Sequence, residues 1–203
     1  DTRALGAGAE GLTGLVNAVL RRAAETGPDR WAALPATELP GWLRGRVMSA
    51  YGKKAAQARE AAHARGAAID LTPKGGDAAA LAERLGGAAL PTGSVRLPAG
   101  VQVSELAGYE AGDWWVQDAA AALVVKVLAP QAGERVLDLC AAPGGKTLQL
   151  AAAGAVVTAL DISEARLVRV RENLARCRLS ADIVAADALT WDGPQDFDAV
   201  LLD

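Results

Sequence analysis

From Arg135 to its last residue the chain alternates short apolar, β-branched runs with helical ones, and the first alternation passes through a double glycine. Arg135-Val136-Leu137-Asp138-Leu139 reads as a strand. Cys140-Ala141-Ala142-Pro143-Gly144-Gly145-Lys146-Thr147 follows and leads into a helix from about Thr147 to Ala153. Strands separated by helices cannot pair as hairpins, so they line up in parallel with helices on both faces of one sheet. The same pattern predicts strands at Val156–Asp161, Ile183–Ala185 and Asp198–Asp203. It also predicts a helix capped by Ser163, with Leu167, Val170, Leu174 and Cys177 as its core face. The fold class is α/β, a doubly wound parallel sheet.

Open parallel sheets bind ligands beyond the carboxyl ends of their strands, where a strand gives way to a helix. Gly144 and Gly145 let a backbone approach a ligand without a Cβ in the way. The helix start that follows offers free N–H groups to a carboxylate. Three acids fall at the ends of the next strands. Asp161 can accept from both hydroxyls of a ribose. Asp187, in Ala185-Ala186-Asp187-Ala188, can accept from an adenine amino group. Asp203 ends a buried apolar strand and needs a partner. Each has a plainer reading, as a solvated cap or a turn former. Lys146 either steers a ligand carboxylate or lies solvated at the helix start. Gly145-Lys146-Thr147 also ends a phosphate-binding loop, but Cys140 stands where that motif needs its first glycine. The dinucleotide spacing Gly-x-Gly-x-x-Gly is absent.

Upstream, Leu12, Leu15, Val16, Val19 and Leu20 form one helical stripe ending in Arg21-Arg22, and Gly27-Pro28 stops it. Trp42, Leu43, Arg46, Val47 and Ala50 give a second helical face, and Lys53–Arg65 is an alanine-rich helix. Residues 66–108 read as a small α+β unit. It has strands at Ala67–Leu71, Val95–Leu97 and Val101–Val103, and a helix capped by Asp77 that runs to Leu85. Residues 109–203 begin with Tyr109-Glu110-Ala111-Gly112-Asp113-Trp114-Trp115-Val116-Gln117-Asp118, which leads into a helix from about Ala119 to Leu128. That helix is apolar on most sides and is expected to be buried. The five arginines from Arg166 to Arg178 are expected to form a mostly solvated face, with Arg166 nearest the site.

With 51% apolar and 22% charged residues, the chain has the composition of a globular protein. Residues 1–65 carry ten Lys/Arg against six Asp/Glu, and residues 131–203 carry seven against eleven, so a nucleic-acid contact belongs in the first half. Two cysteines make neither a disulfide framework nor a zinc site. There is no apolar run long enough to span a bilayer. A cytoplasmic monomer with no metal and no membrane contact is expected. A first residue of Asp1 and a final strand interior predict a piece of a longer protein.

The run Asp138–Thr147 resembles the cofactor signature of the Sun family of S-adenosyl-L-methionine (SAM) dependent RNA (cytosine-5) methyltransferases, the Fmu/RsmB-like branch. Gly112–Asp118 resembles that family's approach segment, with Asp113 as a small departure. Asp161, Asp187 and Asp203 match its later pocket motifs in order and spacing. Val16-Asn17-Ala18-Val19-Leu20-Arg21-Arg22 resembles the last helix of a NusB-like RNA-binding domain. The resemblance implies a Rossmann-like SAM domain over residues 109–203, a NusB-like remnant and linker over 1–65, and a small subdomain over 66–108. It implies SAM held by Cys140, Ala141, Ala142, Pro143, Gly144, Gly145, Lys146, Asp161, Asp187 and Asp203, and RNA, specifically 16S rRNA, as methyl acceptor. It also implies a cysteine nucleophile that attacks cytosine C6 from a Pro-Cys pair just after the residue matching Asp203, and a second cysteine further on. Neither Cys140, in the loop, nor Cys177, on a core face, fits that role. The chain as it stands is therefore expected to hold the pocket without turning over. A non-catalytic RNA-binding or assembly module with a vestigial SAM fold is the other reading, and the residues that follow Asp203 discriminate between the two.

Overall fold

The computed structural model of the chain describes residues 12–35, 37–194 and 196–203. They fall into two compact units, one ending at Gly66 and the other running from Ala67 to Asp203.

The first unit is helical: α1 (Thr13–Ala32), α2 (Gly41–Tyr51) and α3 (Lys53–Ala64). Gly27 takes φ 80°, ψ 158°, and the helix resumes beyond it. The expected stop at Gly27-Pro28 is therefore a break inside a longer element, because a single left-handed glycine interrupts the hydrogen-bond ladder without forbidding a new turn. The stripe Leu15, Val19 and Leu20 remains more than half exposed. Arg44 donates to Glu60 Oε1 at 2.7 Å, and the Leu39 amide donates to the same oxygen at 3.0 Å. That arrangement holds α2 and the approach to it against α3 and lowers the Glu60 pKa, chiefly through the hydrogen bond from Arg44.

The second unit carries two sheets. The smaller is antiparallel, in the order β2-β3-β1-β4, from β1 (Ile69–Pro73), β2 (Ala88–Ala89), β3 (Val95–Leu97) and β4 (Trp114–Val116). Helix α4 (Ala78–Leu85) covers it, capped by Asp77, which accepts from the Ala80 amide. Leu71, Leu81, Val95, Leu97 and Trp114 form its core. Val101–Val103 is no strand: Val103–Glu105 closes a 3-10 turn. Trp114–Val116, which the sequence pattern groups with the following helix, joins β1 instead, as Thr72 pairs with Trp115. Asp118 then caps α5 (Ala119–Leu128). This helix buries only Ala119, Ala122 and Val125, while Val127 is 85% exposed. Its apolar character therefore overstates its burial.

The larger sheet is parallel throughout, in the order β7-β6-β5-β8, from β5 (Arg135–Leu139), β6 (Val156–Asp161), β7 (Asp182–Ala185) and β8 (Ala199–Leu202). Helix α6 (Gly145–Ala152) follows β5 and starts two residues earlier than the periodicity predicts; α7 (Glu164–Cys177) follows β6. The expected core face of α7 is buried in full, against Trp115, Ala142 and Leu148. Each such fully buried aliphatic side chain stabilises the fold by about 1.5–3 kcal/mol. From β5 the chain proceeds outward through β6 and β7, then returns to the other flank of β5 as β8. The carboxyl end of β5 is thus the point where the winding reverses, and crevices open at such points.

Candidate functional site

The chain leaves β5 through Cys140, which takes a left-handed φ of 59°. The Ala141 amide donates to Leu160 O on β6 at 3.0 Å, and the Gly144 amide donates back to Ala141 O at 2.8 Å. These bonds fold residues 140–144 into a tight turn over the strand ends. Gly144 has φ 101°, and a Cβ there would stand 3.1 Å from Val170 Cγ1 on α7. The glycine is therefore demanded by a neighbouring helix and by its own backbone. A Cβ on Gly145 would meet Gln117 at an ordinary 3.4 Å. No side chain caps α6, so its first turn presents its N–H groups without a competing carboxylate or hydroxyl.

Asp161 closes the turn from the side. It is 1% exposed. Its Oδ2 accepts from the Ala142 amide at 3.1 Å and its Oδ1 from the Ser163 amide at 2.9 Å. Arg166 Nη2 donates to Ala142 O at 2.5 Å, and Nη1 lies 3.5 Å from Asp161 Oδ2. Ala142 is thus gripped at its N–H by a carboxylate and at its carbonyl by a guanidinium. A carboxylate has about four lone-pair positions, and two backbone bonds leave room for further donors. Asp187 forms an Asx turn, accepting from the Leu189 amide at 2.9 Å.

Two cavities open on this rim and share Leu139 and Cys140. One, of about 450 Å³, is lined by Cys140, Asp161, Ile162, Arg166, Asp187 and Leu189. The other, of about 440 Å³, is lined by Cys140 to Pro143 together with Gly145, Lys146 and Asp203. The expected residues therefore lie along one sheet edge in two lobes divided by the start of the loop. Asp161 and Asp187 fall in one lobe and Asp203 in the other, and Gly144 lines neither. Lys146 is neither solvated nor free: its Nζ donates to Asp203 Oδ2 at 2.5 Å. That bond supplies the partner Asp203 needs.

Three features of the site were not legible as such. Asp138 lines the second lobe at 1% exposure and accepts from Thr147 Oγ1 at 2.6 Å. Burial pushes its pKa from an ordinary 3.8 to about 6; the Thr147 hydrogen bond and the Lys146 charge oppose the rise, and Asp203 adds to it. An acid inside an otherwise apolar strand was the available signal. Gln117 lines the same lobe, reached from the small sheet. Arg176 is not part of a solvated face: it donates to Tyr109 O at 2.8 Å and Trp114 O at 3.0 Å, and lies 4.3 Å from the Tyr109 ring centre. Cys177 is fully buried, and burial raises its thiol pKa. No group of three or more metal-ligating side chains occurs among the described residues. Among those residues, too, no helix is long and apolar enough to cross a membrane.

A parallel sheet that reverses its winding at a glycine-bearing turn, with carboxylates at the flanking strand ends, defines a Rossmann-like domain, and its relatives are methyltransferases. The family described as 16S rRNA methyltransferase RsmB/F matches residues 125–203. Ribosomal RNA small subunit methyltransferase B of Serratia proteamaculans is 41% identical over 95% of this chain and 49% of its own length. The protein of the same name from Yersinia enterocolitica is 52% identical over 54% of this chain and 27% of its own. In fold, the chain is similar to a methyltransferase homolog protein from Pyrococcus horikoshii, with a TM-score of 0.61 at 22% identity, over 74% of this chain and 54% of that one. The chain is similar to the Sun family of methyltransferases, in its RsmB/F-like branch, over these spans. It spans between about a quarter and about half the length of these two relatives.

Proposed function

We propose that the rim holds SAM and that the whole protein transfers its methyl group to carbon 5 of a cytosine in 16S rRNA. The observation that carries the cofactor assignment is the buried Asp161 carboxylate. It faces a lobe of adenosine size and keeps unused lone pairs for two ribose hydroxyls. Ile162 and Leu189, 70% and 93% exposed, stand on the same lobe as apolar walls for an adenine ring, with Asp187 at its edge. The uncapped first turn of α6 suits the methionyl carboxylate. When bound, SAM supplies an electrophilic methyl group. The chain's own residues orient it: Asp161 and Arg166 hold the loop, and Lys146 with Asp203 fixes a charge pair beside the second lobe. With Lys146 tied to Asp203 and Cys140 in place of a glycine, nothing supports a phosphate-binding loop.

The acceptor follows from the family, as does a cysteine adduct at cytosine C6, formed by a thiol beyond Asp203. Cytoplasmic location goes with a ribosomal substrate. S-Adenosylhomocysteine (SAH) titrated into this chain by calorimetry tests the cofactor reading. Asp161→Ala should weaken binding about tenfold or more, the cost of two lost hydrogen bonds to a charged group. Equal affinity in both proteins would remove the ribose assignment.

A further inference from the structure

Gln117 follows β4 directly, is 6% exposed, and runs beneath the first turn of α6. Its Oε1 accepts from Trp115 Nε1 and from Thr72 Oγ1, each at 2.9 Å. Its Nε2 donates to Gln149 Oε1 at 3.0 Å, and Gln149 Nε2 donates to Ala122 O on α5 at 2.9 Å. The direction of this relay is forced. An indole N–H only donates and a peptide carbonyl only accepts, so turning over either amide sets like against like. The pair therefore has one arrangement. Burying the Gln117 amide costs desolvation that an aliphatic side chain of the same size avoids, so packing alone does not call for it. What the relay secures is the position of one side chain: Gln117 Cγ, Cδ and Nε2 lie 3.4–3.6 Å from where a Cβ on Gly145 would stand. Gln117 lines the second lobe with Lys146 and Asp138, whereas Gln149, one step further along, is not part of its lining.

We infer that Gln117 is a positioning residue. Through this amide relay, the small sheet and α5 seat the first turn of α6, and so set where its N–H groups and Lys146 meet the cofactor. This rests on the reading of the rim as a SAM site. Calorimetry with SAH and thermal melting of the 203-residue chain test it on four variants: Gln117→Ala, Gln149→Leu, the double variant, and Leu97→Ala in the small-sheet core. Gln117→Ala and Gln149→Leu should each weaken SAH binding about tenfold. The double variant should lose little more than either single change, because the relay acts as a unit. Leu97→Ala should lower the melting temperature and leave affinity at the wild-type value. Wild-type affinity in Gln149→Leu, whose side chain does not line the lobe, overturns the inference. So does an equal affinity loss in Leu97→Ala, which would mark general loosening. Should Gln117→Ala fail to fold, Gln149→Leu decides the matter alone. Failure of the cofactor reading looks different: SAH then does not bind the wild-type chain, or binds Asp161→Ala equally well, and the inference falls with it.

Discussion

Asp138 is a carboxylic acid in a place that disfavours its charge. Its folded pKa, about 6, lies above the ordinary 3.8. The stability it contributes is present in full below the ordinary value and is lost as pH rises through 6, because folding then buries an anion. At pH 7 the cost is on the order of 2–3 kcal/mol. Asp138→Asn keeps the Thr147 hydroxyl's acceptor and removes that cost. Urea unfolding should therefore show the variant more stable than wild type at pH 7, with the gap closing toward pH 4. A gap independent of pH would mean that Asp138 ionises freely. The residue was visible in the sequence only as one letter of a loop signature. Its burial beside Lys146 and Asp203 comes from strand β8, which lies 60 residues downstream and pairs Asp138 with Leu201. No local pattern contains that pairing.

At the scale of elements, two adjacent glycines serve different ends. Gly144 sits at φ 101° with Val170 behind it, whereas Gly145 opens α6 with open contact to Gln117. Gly144→Ala should destabilise by about 1–3 kcal/mol through backbone strain and crowding. Gly145→Ala should stay within about 1 kcal/mol of wild type. Denaturant midpoints of the two variants check this, and equal losses would refute the assigned roles. The double glycine is plain in the sequence, but the division of labour is not, because the helix that forbids a Cβ at 144 belongs to the following β6–α7 unit. The same limit explains the other element-scale differences. The sequence pattern placed β5 and β6, whose successive buried residues face both sides of the sheet, and also α5 and the core face of α7. It assigned a strand to Val101–Val103 and full burial to α5, where hydrophobicity is high but no partner surface arrives. It also grouped Trp114–Val116 with the helix it precedes, although its backbone partners lie far earlier in the chain, as in Thr72 with Trp115.

For the whole molecule, every residue that lines the two lobes comes after Ala67. Residues 67–203 expressed alone should fold and bind SAH with the affinity of the longer chain; a loss beyond about threefold would give the helical unit a part in the pocket. The full 203-residue chain should bind SAH yet yield no methylated rRNA above background. Cys177 is sealed in the core, and on the proposed reading the attacking thiol is neither it nor Cys140. Product formed at a useful rate would place the nucleophile among these residues.

The sequence by itself determined the class of sheet, the location of the turn at the carboxyl end of β5, and the acids at the ends of the neighbouring strands. Those features depend on periodicity, glycine and the alternation of strand with helix, all of which are local. Only the tertiary structure decided how the rim divides, that Lys146 belongs to Asp203, and that Asp161 and Arg166 grip the same residue, Ala142. It alone showed the amide relay from the small sheet running beneath α6. Each of these depends on which distant segments the winding order brings within hydrogen-bond reach, and short-range patterning carries no record of that distance.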